Sequence, residues 1–192
     1  MEKQVKKSRS SGGLLVLLVI VLVAAAGYYA YTGYYSKEGM IAKTAAKAYE
    51  LYSSADKQKD IRLFLGDPDK DGFKQYKAKI FDTKAVLNQV KQAVLLLLQA
   101  PPAGYVSFMP QGTALRDVYL DPNNICYVDL SGELSKNSNG GSTGEYMTAY
   151  SIVDSICTNF QEIKGVKILI DGKEADSIAG HFRIKDVLKP TE

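Results

Sequence analysis

An α+β domain behind an N-terminal transmembrane helix is what this sequence predicts, and three observations lead there. A stretch without charge, GGLLVLLVIVLVAAAGYYAY, occupies residues 12–31. Behind it, short runs of strand formers alternate with two segments of helical periodicity, in the order β-β-α-β-β-α-β-β. Gly, Pro, Asn and Asp clusters punctuate the runs, as turns require. Two helices laid on one face of a mixed, largely antiparallel sheet satisfy that order. No repeat of 20–50 residues announces a solenoid, so residues 58–190 are expected to form one domain.

The anchor comes first. About 20 apolar residues at 1.5 Å rise cross a hydrocarbon core of about 30 Å. Residues 1–11 form a basic tail, with Lys3, Lys6, Lys7 and Arg9 against Glu2. Positive charge stays inside, so the N-terminus is expected in the cytoplasm and the domain outside it, periplasmic or otherwise extracytoplasmic. Tyr28, Tyr29, Tyr31, Tyr34 and Tyr35 follow the apolar run as an interfacial belt. The rival reading is a signal peptide cleaved at Ala24-Ala25-Ala26. The length of the Leu14–Ala26 run and the tyrosine-rich continuation favour an uncleaved single span of the inner membrane. No cysteine near residue 26 offers a lipid-attachment site. Residues 32–57 read as a juxtamembrane spacer, alanine-rich and helix-permissive but without an apolar stripe.

Charge narrows the partners. The chain carries a formal +3, and the first eleven residues account for all of it. The remainder is neutral, so no basic excess exists to neutralise nucleic-acid phosphates. Two cysteines are too few for a disulfide framework, so an apolar core must stabilise the domain.

The strands and helices follow in order. Ile61–Leu65 is rich in strand formers and ends at Gly66-Asp67-Pro68. Gln75–Phe81 places Tyr76, Ala78 and Ile80 on one side. Asp82 or Thr83 can cap a helix over Lys84–Gln99, whose Val86, Leu87, Val90, Ala93, Val94, Leu97 and Leu98 share a face. Pro101 and Pro102 stop it. Ala114–Leu120 and Ile125–Leu130 are strands joined by Asp121-Pro122-Asn123-Asn124. The polar stretch Ser135–Gly144 reads as a mobile loop before a second helix, Thr143–Phe160. Val166–Ile170 is a buried strand, Asp171-Gly172 a tight hairpin turn, and Lys173–Ile178 its return strand.

Candidate chemistry is sparse. Asp67, Asp69 and Asp71 with Gly72 match the first half of a calcium loop, D-x-D-x-D-G. Ala78 stands where the bidentate acid should be, which favours a solvated turn over a metal site. Cys126 and Cys157 fall on core-facing positions; a disulfide between them is one reading and free buried thiols the other. His181 is the single histidine and fits a structural position better than a catalytic one. Asn139–Gly144 lacks the G-K-[ST] ending of a phosphate loop, leaving Thr143 as a plain helix cap. Asp129 and Glu145 can be imagined as paired carboxylates for glycoside cleavage, a chemistry that needs them about 5–10 Å apart, which sequence does not show. No cofactor is expected, and no enzyme.

Several segments, taken in series, resemble the GerMN domain, a sporulation and spore germination module. They are Ala93–Leu98 before Ala100-Pro101; Met109-Pro110-Gln111-Gly112-Thr113; Val118-Tyr119-Leu120; and Tyr127-Val128-Asp129-Leu130-Ser131. Gly144-Glu145, Ile152-Val153 to Phe160, Val166 to Lys173 and Gly180-His181 complete the series. The resemblance implies an anchored envelope module of sporulation, germination or cell-envelope assembly, without an assigned reaction. It implies association with itself or with other envelope proteins. Binding of peptidoglycan or a small ligand is the alternative.

Overall fold

The computed structural model describes residues 57–191, together with 23–25 and 28. The basic tail 1–11, and nearly all of the expected anchor 12–31 and spacer 32–57, lie outside the described residues. Val23, Ala24, Ala25 and Tyr28 are helical. Among the described residues no helix is long and apolar enough to cross a membrane. The chain divides into two units, 1–51 and 52–192, and the second carries the fold.

A two-stranded hairpin opens that unit. β1 (Gln58–Gly66) pairs antiparallel with β2 (Phe73–Phe81), from Gln58 opposite Phe81 to Gly66 opposite Phe73. Alternation decides its faces. Ile61, Leu63, Leu65, Ala78 and Ile80 are buried, whereas Asp60, Arg62, Gln75, Lys77 and Lys79 are exposed.

Helix α1 (Val86–Leu97) follows and buries Val90, Ala93, Val94 and Leu97, the stripe that its periodicity predicts. Its start departs from expectation, because Ala85 is the N-cap and makes no side-chain cap. Asp82 and Thr83 instead accept from the side-chain amide of Gln89, one turn into the helix. β3 (Leu115–Leu120) and β4 (Ile125–Leu130) then pair antiparallel, with a bulge at Arg116. A one-turn helix α2 (Glu133–Lys136) and the long helix α3 (Gly141–Cys157) occupy much of the stretch expected to be a mobile loop. The N-cap of α3 is Gly140 rather than Thr143. β5 (Gly165–Ile170) runs parallel to β4, and β6 (Lys173–Glu174) returns across Asp171-Gly172. Both turn residues have positive φ, 51° and 76°, the geometry that a tight Asp-Gly hairpin needs. β6 is only two residues long. The chain then folds into a loop closed by the Ile184 N–H donating to the Asp176 carbonyl.

The expected single sheet is two sheets, β1-β2 and β3-β4-β5-β6. The α+β class and the mixed pairing hold. The physical reason for the split lies in α3. Its Ser155 Oγ accepts from the Phe64 N–H at 2.9 Å, and its Ser151 Oγ donates to the Phe64 carbonyl at 2.6 Å. Just past the helix, the Asn159 side-chain amide accepts from the Arg62 N–H at 2.9 Å and donates to the Arg62 carbonyl at 2.6 Å. Gly66 completes the row by a backbone bridge to Val106. Polar side chains and one residue of loop thus occupy the edge of β1, where a neighbouring strand would otherwise pair. Gln92 of α1 does the same for the end of β2, accepting from the Phe81 N–H and donating to its carbonyl.

Helix α3 therefore meets β1 on one side and β5 on another, with α1 beside it. It is buried nearly all round, including Ser151, Ser155, Glu145 and Asp154. That arrangement explains why it lacks a clean apolar stripe. The core gathers Ile61 and Leu63 from the hairpin with Val94, Leu97, Val128, Ile152, Ile156, Phe160 and Ile168.

Candidate functional site

Two regions of the domain unit offer themselves, an uncharged cleft and a set of buried carboxylates. The cleft has a volume of about 710 Å³ and lies between the loop Ser107–Gly112 and the segment Asn137–Gly140, with Gly144 and Thr148 at its back. Its walls are tied together from below. Thr148 Oγ1 donates to the Phe108 carbonyl at 2.7 Å, and Asn137 Nδ2 donates to the Gln111 carbonyl at 2.6 Å. Gly112 turns its loop with φ 82°, which favours glycine there. Phe108 and Met109 give the cleft an apolar wall; Ser107, Gln111, Asn137, Ser138 and Asn139 give it hydrogen-bonding groups. None of its lining side chains ionises near neutral pH. Its hydroxyls, Ser107, Ser138 and Thr148, have no ionisable side chain beside them in the lining to act as a base. Its lining suits recognition through hydrogen bonds and apolar contact.

The carboxylates are clamps. Glu145 of α3 is fully buried, 0 % exposed. It accepts from the backbone N–H of His181 at 3.2 Å and of Phe182 at 3.0 Å, and His181 Nδ1 lies 2.7 Å from its Oε1. Burial works to raise its pKa, but the Phe182 and His181 donors outweigh it and hold the carboxyl below its ordinary 4.5. A charged Glu145 requires the proton on His181 Nδ1. Around this pair Tyr146, Tyr150 and Phe182 meet ring against ring, with centroids 4.6 to 6.0 Å apart. Asp154, also buried, accepts from the Thr191 N–H at 2.9 Å and the Thr191 hydroxyl at 2.6 Å, fixing the end of the chain to α3. Asp129 accepts from the Gly172 N–H at 2.7 Å and from Arg116 Nε at 3.0 Å, locking the β5–β6 turn.

Each residue singled out in the sequence can now be placed. Asp67, Asp69 and Asp71 sit at the tip of the hairpin, where Asp67 Oδ1 accepts from the Asp69 N–H at 3.1 Å. That is a side-chain-stabilised turn. Among the described residues, no group of three or more His, Cys, Asp or Glu is placed to hold a metal ion. Cys126 and Cys157 are both free and buried. Burial pushes the Cys126 thiol up to about 12 and the Cys157 thiol up to about 11. Asp129 and Glu145 are spent on different partners, the β5–β6 turn and the loop at His181. His181 is half-exposed and held by Glu145. The cleft itself is invisible in the sequence, although Met109-Pro110-Gln111-Gly112 is one of its walls.

A helix-buttressed hairpin beside a mixed four-stranded sheet, with buried acids serving as loop clamps, defines an α+β domain. The sporulation and spore germination family, Germane, matches residues 62–176, and the chain belongs to that family. Solved structures agree at the level of fold. The first GerMN domain of the sporulation protein GerM from Bacillus subtilis superposes with a TM-score of 0.54 at 22% identity, covering 68% of this chain and 97% of that one. The tandem GerMN domains of the same protein give 0.57 at 21% identity, over 69% of this chain and 46% of that one. A Clostridium perfringens protein described as a "Putative Lipoprotein" gives 0.50 at 22% identity, over 72% and 93%. A sequence comparison with curated proteins finds no match.

Proposed function

We propose that the chain is a non-enzymatic interaction module of the cell envelope, held to the inner membrane by residues 12–31 with its domain on the extracytoplasmic side. The observation that carries this reading is where the ionisable groups go. The cleft has none, and the buried acids are consumed by the domain's own loops. A scaffold built this way presents surfaces rather than reagents. Membership of a sporulation and germination family supports an assembly role, and a lipoprotein-described neighbour supports the envelope location.

Edge-to-edge pairing is disfavoured at two strands. Side chains of α3 and of Asn159 just past it take up the β1 edge, and the outer strand β3 carries a bulge and an Asp117 that accepts from its neighbour's N–H at 2.8 Å. Association then has to use faces and loops. Cross-linking of the full chain in native membranes tests the module reading. Discrete higher-mass species containing the chain are expected, and an exclusively monomeric chain at every cross-linker dose contradicts it.

A second reading has its own observation. A polar, uncharged cleft with one aromatic wall suits a hydroxyl-rich cell-wall polymer. Co-sedimentation with purified peptidoglycan, weakened by Asn139→Ala and Phe108→Ala, is the expected result under that reading.

A further inference from the structure

We propose that the outward face of the β1–β2 hairpin lies against an anionic phospholipid surface, with Arg62 and Lys77 as its paired contacts. Arg62 stands opposite Lys77 in the register. The backbone N–H and carbonyl of Arg62 are turned away from β2 and bound by Asn159, so the two residues form a non-hydrogen-bonded pair. Such pairs have Cα atoms only about 4.5 Å apart, and like charges placed there repel. Both side chains are exposed, and neither has an ion-pair partner among the described residues. The same face carries Lys79 as well, and the one carboxylate there, Asp60, is bonded to Lys79 and lowered in part by the charge of Lys77. Three cations against one acid leave a positive excess that an anionic surface complements.

Charge along the hairpin points to a surface rather than a small anion. Lys57, Lys59, Lys79 and Lys84 gather at its open end against Asp60 and Asp82. Its tip carries Asp67, Asp69 and Asp71 against Lys70. The positive end is the end at which the chain arrives from the apolar stretch 12–31. The roughly 25 intervening residues span at most about 80 Å, which keeps this face within reach of the bilayer. A tethered face needs only weak intrinsic affinity, because tethering raises its effective concentration. The inference goes beyond the module reading and leans only on its membrane anchoring.

The test uses residues 52–192, the compact unit that holds the hydrophobic core found among the described residues, without residues 1–51. Partitioning is measured onto vesicles of phosphatidylcholine alone and with 30% phosphatidylglycerol added, at low and high salt. Binding is expected only to the anionic vesicles, and to vanish at high salt. Arg62→Glu and Lys77→Glu should each weaken it by at least about fivefold, and the double variant should abolish it. Thermal melts of the same variants report folding separately. Equal partitioning onto both vesicle types overturns the proposal, as does binding unaffected by the double variant. Binding to purified teichoic acid with none to vesicles also overturns it, and leaves the module reading standing.

Discussion

The hairpin and the four-stranded sheet treat like charges in opposite ways. On the sheet, Asp117 stands opposite Asp129, as unfavourable a pairing in principle as Arg62 opposite Lys77 on the hairpin. Each sheet acid has its own cation, Lys91 for Asp117 and Arg116 for Asp129, and the Gly172 N–H serves Asp129 as well. Arg62 and Lys77 have no bonded acid of their own among the described residues; Asp60, which the charge of Lys77 helps to lower, is bonded to Lys79. Attachment to the helices differs too. Both share apolar core with α3, Val166 and Ile168 from the sheet and Ile61 and Leu63 from the hairpin, but the hairpin adds polar ties at its edge through Ser151, Ser155 and, just past the helix, Asn159. The sheet and the hairpin share one core, but the sheet pairs its opposed acids with cations whereas the hairpin leaves an excess of positive charge on its outward face.

Breaking the clamps should give the largest effects. Glu145→Ala strands the His181 and Phe182 donors, and a loss of about 3 kcal/mol is expected in urea unfolding. Because the Glu145 carboxyl is held below its ordinary value, its contribution is complete above about pH 4.5 and is lost as pH falls through the lowered value. Wild-type stability should therefore drop in acid by more than that of Glu145→Gln. Next comes the hairpin seam. Asn159→Ala frees both backbone groups of Arg62 and should cost about 1–2 kcal/mol, and Ser155→Ala about 1 kcal/mol. Hydrogen exchange should show the added opening confined to β1 and β2. Thiol labelling is subtler. With thiols raised to about 12 and about 11 and buried, Cys126 and Cys157 should resist alkylation at pH 8 and react only on unfolding.

Much of the fold was legible where local chemistry decides it. β4 was placed residue for residue, the α1 stripe was read from its spacing, and Asp171-Gly172 announced its own turn. What the sequence could not reveal depends on side chains reaching across the fold. The division into two sheets turns on two serines and an asparagine capturing the edge of β1, and such residues leave no periodic trace. The glycine-rich start of α3 resembles a loop because Gly140 caps it without a side chain. Asp129 and Glu145 stood out in the sequence only as a conceivable carboxylate pair and Asp154 not at all, because their burial comes from partners 36 to 43 positions away. The cleft has the same origin. The stretch behind the expected anchor, Gln58 onward, now carries a more specific expectation than a tethered domain, namely a face turned toward the membrane.

The most direct test of that contrast is a double-mutant cycle on the thermal stability of residues 52–192, with Arg62→Glu, Lys77→Glu and both together. If Arg62 and Lys77 repel, each single variant replaces repulsion by attraction and raises Tm by about 2 °C, and the double variant returns it near the wild-type value. Single variants that lower Tm, or effects that simply add in the double variant, would show that the two cations are not in conflict and would contradict the account.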